Sequence, residues 1–294
     1  KQSIKVGNQS VINVQMKEDS QMLAETVVIG YGSAKKRDLT GSITNIKGDE
    51  IANKPVANPL SALQGKVAGV QIINSGKAGA DPEIRVRGTN SINGYKPLYV
   101  VDGLFNDNIN FLNPQDIESM EILKDPSSLA IFGVRGANGV ILITTKAGAT
   151  GKAKVSLTAQ FGLNKVADKV ESLNAAQYKE LQDEIGLVSL PDGLPDRTDW
   201  FDETYKTGKM QNYQVAVSNG NEKMKYYLSA GYLDEKGILD ISYYKRYNFR
   251  SNVDMDISPK TTVSFGIQGN VSENTEPAEG GSASIYRDII NAAP

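Results

Sequence analysis

The chain has 294 residues, 39% of them hydrophobic, enough for two domains with a buried core, and its formal net charge of -2 provides no basic surface for neutralising nucleic-acid phosphates. It contains neither cysteine nor histidine, which excludes disulfides, thiol and Ser-His-Asp nucleophiles, and metal sites built on thiolate or imidazole. No apolar run approaches the ~20 residues of a transmembrane helix, so a soluble protein and a β-barrel membrane protein both stay open, because barrel strands give a weak hydropathy signal.

In chain order, Ser10 to Met16 alternates as a strand with no partner of its own nearby. Glu18 to Gly41 is a polar linker around one apolar island, Thr26-Val27-Val28-Ile29, which has high β propensity and flanks unable to bury it. Such a segment is expected to stay unpaired until another protein offers a sheet edge. The following Gly30-Tyr31-Gly32-Ser33-Ala34-Lys35 lacks the spacing of a phosphate loop. Ser42 to Ile46 reads as a strand, Asn58 to Gly65 as a short helix with an Asn cap and Pro at its first position, and Val70 to Ile73 as a strand. Ile84 to Gly88 reads as a strand running into a turn, and Pro97 to Gly103 as a buried strand ending at an Asp-Gly turn. Asn113-Pro114 predicts a second helix start before a strand over Met120 to Leu123, and Asp125-Pro126 a third, ending near Gly133. Gly139 to Thr145 predicts the last buried strand of this unit, and residues 76–81, 89–96 and 106–113 are Gly/Asn-rich loops. Arg85, Arg87, Glu118, Glu121, Lys124 and Arg135 lie among apolar neighbours with both signs represented, a composition that points to structural ion pairs. Glu118 and Glu121 are the obvious candidates for a carboxylate pair, and no motif assigns them a catalytic cleft.

After Gly148 the period changes to two. Val155 to Leu163, Tyr213 to Val217, Tyr226 to Tyr232, Tyr247 to Ile257 and Val263 to Val271 alternate apolar with small, polar or charged residues. Segments of about ten residues with this dyad are the pattern of barrel strands that meet lipid on one face and a wet lumen on the other. Long and short connections alternate between them, and the longest carries a helix expected over Ala175 to Ile185 and the Trp200-Phe201 pair, read as loop packing. A plugged barrel needs about 22 strands, so the sequence is expected to be part of a longer protein.

Five motifs carry a resemblance: Arg85-Val86-Arg87-Gly88, Pro97 to Gly103, Asn113 to Ser119, Glu121 to Asp125, and Arg135 to Lys146. Together, in this order, they resemble the plug domain of TonB-dependent outer-membrane transporters, specifically the SusC/RagA-like nutrient importers. Val134 and Pro126 depart slightly from the pattern. The resemblance implies an α+β plug domain followed by antiparallel transmembrane β-barrel strands. It divides the chain into the end of an N-terminal β-sandwich (1–23), a linker (24–41), the plug (42–150) and the first barrel strands (151–294). It implies a TonB box at Glu25, Thr26, Val27, Val28 and Ile29, and ligand-facing loops carrying Asn90, Ser91, Asn93, Tyr95, Asn106, Asp107 and Asn108. The implied function is active import of an oligosaccharide or short peptide across the outer membrane of a Gram-negative bacterium. The implied partners are a TonB-type periplasmic protein, a SusD-like surface lipoprotein and outer-membrane lipid, with no enzyme activity, cofactor, metal or nucleic acid. The rival is a soluble or secreted β-rich glycan-binding or adhesin module, which would explain the alternating strands but not the motif series.

Overall fold

The computed structural model describes residues 26–29, 32–35, 43–86, 88, 96–167, 169, 173–186, 190–193, 198–275 and 285–292. The strand expected at Ser10 to Met16 lies outside them. Strand β1 (Thr26–Ile29) pairs antiparallel with β2 (Gly32–Lys35) in a sheet of their own. The apolar island is therefore paired, against the expectation of an isolated strand. Only two residues separate the β-prone Thr26–Ile29 from Gly32–Lys35, so the following segment is the nearest strand partner it can find despite its own low β propensity.

The plug is built around a five-stranded sheet in the order β3-β8-β9-β6-β7. Its strands are β3 (Ile43–Lys47), β6 (Leu98–Val101), β7 (Leu104–Asn106), β8 (Ile117–Leu123) and β9 (Val140–Thr145). A two-stranded sheet, β4 (Val70–Ile73) with β5 (Glu83–Val86), lies beside it. Among the described strands, only β6 with β9 is parallel. The continuous apolar run of β9 marks it as a strand covered on both faces. Ile141 and Ile143 pack on one side with Ile51, Leu60, Leu63, Ile109, Met120 and Ile122, whereas Val140 and Leu142 pack on the other with Val100, Leu123 and Phe132. Helix α1 (Gly48–Ala52) and a 3-10 turn at Pro59–Leu63 cover the first face, and α2 (Pro126–Leu129) with the turn Ala130–Gly136 lies on the second. At about 1.5–3 kcal/mol for each fully buried aliphatic or aromatic side chain, these two layers dominate the plug's cohesion.

Several elements differ from the sequence reading: the short helix expected over Asn58 to Gly65 is a 3-10 turn (Pro59–Leu63), and α1 forms directly after β3. Asn113 caps as expected, accepting from Gln115 N at 3.1 Å, with Pro114 first in the turn, yet only a 3-10 turn (Pro114–Asp116) forms, and β8 begins at Ile117 rather than Met120. Ile117 is fully buried and pairs with Thr145, so burial and ladder bonds outweigh the helix-start signal. Residues Leu104 to Asn106 form a strand, β7, that the sequence reading did not include and that takes in the first residue of the loop expected over 106–113; it is returned from β6 by Asp102 and Gly103, whose φ values of 48° and 85° are those a type I′ turn requires.

The remaining strands form a second sheet: β10 (Gly151–Asn164), β11 (Gly208–Gly220), β12 (Met224–Lys236), β13 (Tyr243–Ser258) and β14 (Thr261–Thr275), a wholly antiparallel meander. Helices α3 (Ala175–Ile185) and α4 (Trp200–Thr204) occupy the long β10–β11 connection, with Phe201 buried, and α5 (Ile285–Asn291) follows β14. Helix α3 has the expected bounds because Asn174 and Gln177 close a capping box and Gly186, at φ 68°, ends it. One face of the sheet covers the plug and buries Met210, Asn212, Gln214, Tyr227, Leu233, Tyr244, Arg246 and Arg250. The other leaves Val215, Leu228, Tyr247, Phe249 and Met255 exposed, with the rings of Tyr232 and Tyr247 tilted against each other across strands at 4.8 Å. No helix among the described residues is long and apolar enough to cross a membrane, which says nothing of crossing by strands.

Candidate gating interface between plug and wall

Polar side chains projecting inward from the second sheet hold the plug. At the β6–β7 turn, Asp102 accepts from Thr145 N at 2.9 Å, from Thr145 Oγ1 at 2.7 Å and from the Arg250 guanidinium of β13. Arg250 also donates to Thr145 Oγ1 at 2.6 Å and Gln268 Oε1 at 2.8 Å, and Asn252 Nδ2 reaches Lys146 O at 2.8 Å. Buried Asp116 accepts from Tyr227 Oη at 2.8 Å and from the Gln214 amide. Arg246, 1% exposed, donates to Asn110 O at 2.5 Å and Ala57 O at 3.3 Å. Farther along, Gly79 N donates to Glu235 Oε2 at 3.0 Å and Ala78 N to Ser242 Oγ at 3.1 Å. Gln160 donates to Ala52 O at 2.6 Å. Two glycines permit backbone contact with the wall: a Cβ on Gly148 would lie 2.2 Å from Tyr226 N, and one on Gly79 would lie 2.1 Å from the Tyr244 ring.

The interface and the plug core differ in kind. The core is apolar, whereas the interface is lined by buried polar side chains, among them Asn212, Gln214, Arg246, Asn248 and Arg250. A polar contact layer of this kind is one that bridging water can enter and satisfy, unlike a filled hydrophobic contact. The geometry therefore seats an apolar-cored plug in a polar socket.

The expected ion-pair set is built differently. Arg85 pairs with Glu83, its neighbour two residues back on β5, with Nε at 2.7 Å. Glu121 is buried and accepts from Asn45 Nδ2 at 3.0 Å. Lys124 donates to the Ala68 carbonyl at 2.9 Å, and Arg135 stands 5.7 Å over the Phe105 ring. Glu118 is exposed and makes no ion pair among the described residues, since it projects from β8 on the side away from the core. Arg87 lies outside the described residues. So do the loop positions Asn90, Ser91, Asn93 and Tyr95, and Glu25 of the expected box. Of the other loop residues, Asn106 ends β7 and donates to Leu104 O at 2.8 Å, and Asn108 accepts from Asn110 N at 3.3 Å, both within their own segment. Asp107 lines a cavity of about 210 Å³ with Lys96 and Tyr99, whose phenol burial pushes its pKa well up, aided by the charge of Asp81. Sequence reasoning missed Asp102, Asp116, Thr145 and Arg246, and read Arg250 only as a charged residue on the wet face of its strand. The available signal was two arginines, four residues apart, on the polar face of one alternating strand.

A family model, the TonB-dependent receptor plug domain, matches residues 35–140. TonB-dependent receptor P3 of Formosa agariphila is 40% identical over 99% of the chain, and TonB-dependent receptor SusC of Bacteroides thetaiotaomicron is 38% identical over 82%. The structure of the RagAB peptide importer in its open-open state superposes over 86% of the chain with a TM-score of 0.75 and 26% identity. The chain belongs to the SusC/RagA-like TonB-dependent receptors. It spans 29% of the length of receptor P3, 25% of SusC and 33% of the RagAB chain. The small two-layered unit is thus the plug of this family, the meander is a stretch of its incomplete barrel wall, and the family is one of transporters rather than enzymes.

Proposed function

We propose that the complete receptor resides in the outer membrane of a Gram-negative bacterium and imports an oligosaccharide or short peptide, with the plug displaced by force. Support comes from the contrast between an apolar plug core and a polar seat. A plug of that construction can shift against the wall while its own sheet persists. No nucleotide-binding motif is present, so the work is delivered mechanically through the segment Glu25 to Ile29, captured by a TonB-type protein as an added strand. The relatives named SusC and RagAB favour a SusD-like lipoprotein as the surface partner. On this reading the exposed face of β10–β14 meets lipid, the β10–β11 connection lies outside the cell, and the turns at 221–223 and 259–260 face the periplasm. The adhesin reading leaves the plug-domain match without a role. The test is purification of the full-length receptor from outer membranes, with mass spectrometry of what comes with it. Detergent-dependent extraction with a surface lipoprotein and a bound glycan or peptide is expected. A protein that stays soluble without detergent contradicts the proposal.

A further inference from the structure

The pairing register of the second sheet orders its exposed face into rows. Tyr213, Tyr232 and Tyr247 lie side by side across β11, β12 and β13, and from there down to Met224, Met255 and Val263 every row on that face is free of charge. Toward the end that carries the β10–β11 connection, the next row is Gln211, Asp234, Lys245 and Glu273, in which Lys245 stands between the two acids. Tyr232 Oη donates to Asp234 Oδ2 at 3.2 Å and Tyr243 Oη to Glu273 Oε1 at 2.9 Å, so this row is compensated from within. The row beyond it is not. Lys209 stands directly opposite Lys236, both are exposed, and neither ammonium has a partner among the described residues. Opposed residues on one sheet face bring their Cβ atoms to about 4.5–5.5 Å, where like charges destabilise the pair. Just past this row lies a cavity of about 400 Å³ lined by Lys165, Lys169, Lys206 and Asp202 together with the stacked rings of Phe201 and Tyr205. Lys169 is committed to Asp199 and Asp202, and Lys206 to the Asp202 carbonyl, which leaves Lys165 as a third ammonium without a partner among the described residues. Lys165 follows Leu163, the cross-strand neighbour of Lys209, by two positions.

We propose that Lys209, Lys236 and Lys165 bind the phosphate of a lipid headgroup in the outer leaflet, with its acyl chains on the uncharged band below Tyr213 and Tyr232; this rests on the membrane reading above, which puts that face against lipid and the β10–β11 connection outside the cell. Charge selects the ligand. A phosphate monoester carries about −1.5 to −2 at neutral pH, the match for two neighbouring ammonium groups, and relieves their repulsion where a single carboxylate would leave part of it. Depth selects the source. Lys209 lies four residues from Tyr213, about 14 Å along the strand and about 10 Å along the membrane normal at the tilt of a barrel strand, the level of headgroups beyond the hydrocarbon. The two rims also differ, since the last exposed row at the opposite end, Met224, Met255 and Val263, offers no cation to the other leaflet.

The full-length receptor in detergent tests this, with diphosphoryl lipid A as the probe and retention of the lipid in native mass spectrometry as the readout. Each lysine removed is expected to weaken binding about fivefold, the factor by which one basic residue is drawn to an anionic lipid surface, hence about 25-fold for Lys209→Gln with Lys236→Gln. Lys209→Arg with Lys236→Arg is expected to keep the binding. Lys223→Gln with Lys260→Gln removes the same charge from the turns at the opposite rim and is expected to leave it unchanged. Heat-modifiable gel mobility reports whether each barrel is folded. A second arm needs no variant: lipid A stripped of its phosphates is expected to bind the parent no better than the glutamine variant binds the intact lipid. Equal losses in the two glutamine variants, or equal binding of phosphorylated and stripped lipid by the parent, overturn the phosphate site. Displacement of the lipid by millimolar inorganic phosphate identifies a site for the free anion and overturns the lipid assignment. A receptor that stays in solution without detergent refutes the membrane reading and the lysine site with it, whereas a detergent-dependent receptor blind to the phosphates refutes the lysine site alone.

Discussion

Arg250 and Asp102 form the most connected link between plug and wall, and the consequence of breaking it follows from burial. Arg250 has 7% of its side chain exposed and Asp102 37%, so the full ~3–5 kcal/mol for orphaning a buried charge must be discounted for solvent, to roughly 2–3 kcal/mol. Arg250→Met is expected to weaken plug seating by that amount. Limited proteolysis of the full-length receptor should then cut the plug faster while the barrel keeps its heat-modifiable mobility. Gly148→Ala is expected to be more severe, because its methyl group has only the β12 backbone at Tyr226 to displace. The folded fraction recovered from outer membranes measures it, and recovery equal to the parent's contradicts the close approach. None of these residues announced itself in the sequence. Asp102 looked like a turn residue, which it is, and its second role depends on Thr145 and Arg250, 43 and 148 positions away along the chain. Charges that were conspicuous because apolar residues surround them, such as Lys124 and Arg135, instead found a carbonyl and a ring close by.

At the scale of elements, the hairpin of β1 and β2 sets the terms on which a partner strand can be added. Its pairing uses one edge of β1, so a captor must either take the free edge or displace β2. In both cases main-chain hydrogen bonds carry the contact, and proline removes a donor and fixes φ. Val27→Pro or Val28→Pro is therefore expected to abolish uptake with expression, membrane insertion and surface binding intact, whereas Val28→Ile is expected to be nearly silent. Normal uptake in both proline variants would place the coupling segment elsewhere. Strands and caps with strong local signals were legible in advance: β9 from its unbroken apolar run, α3 from Asn174 and Gly186, and the meander from its dyads. Elements decided by distant partners were not. Residues Ile117 to Ser119 carry a helix-start signal and become strand because β9 lies alongside, and β7 exists because a two-residue turn folds Leu104 to Asn106 onto β6.

For the whole molecule, a plug is seated by polar contacts against one face of the wall, and the proposed function puts the other face against lipid. The alternation on β13 makes this measurable. Tyr247 and Phe249 are 57% and 49% exposed on the outer face, whereas Asn248 and Arg250 are 7% and 6% exposed on the inner. Placing a charge on the lipid side at the bilayer midplane costs about 2–4 kcal/mol, so Asp254 and Asp256 must share the inner side with Arg250. The most direct test is a nitroxide scan along β13 in the full-length receptor reconstituted in lipid, read by collision with oxygen. High accessibility at Phe249, Val253 and Met255, with low accessibility at Asn248 and Asp254, is the predicted result. Accessibility at Asp254 exceeding that at Val253, or no alternation at all, contradicts the wall and with it the seat of the plug.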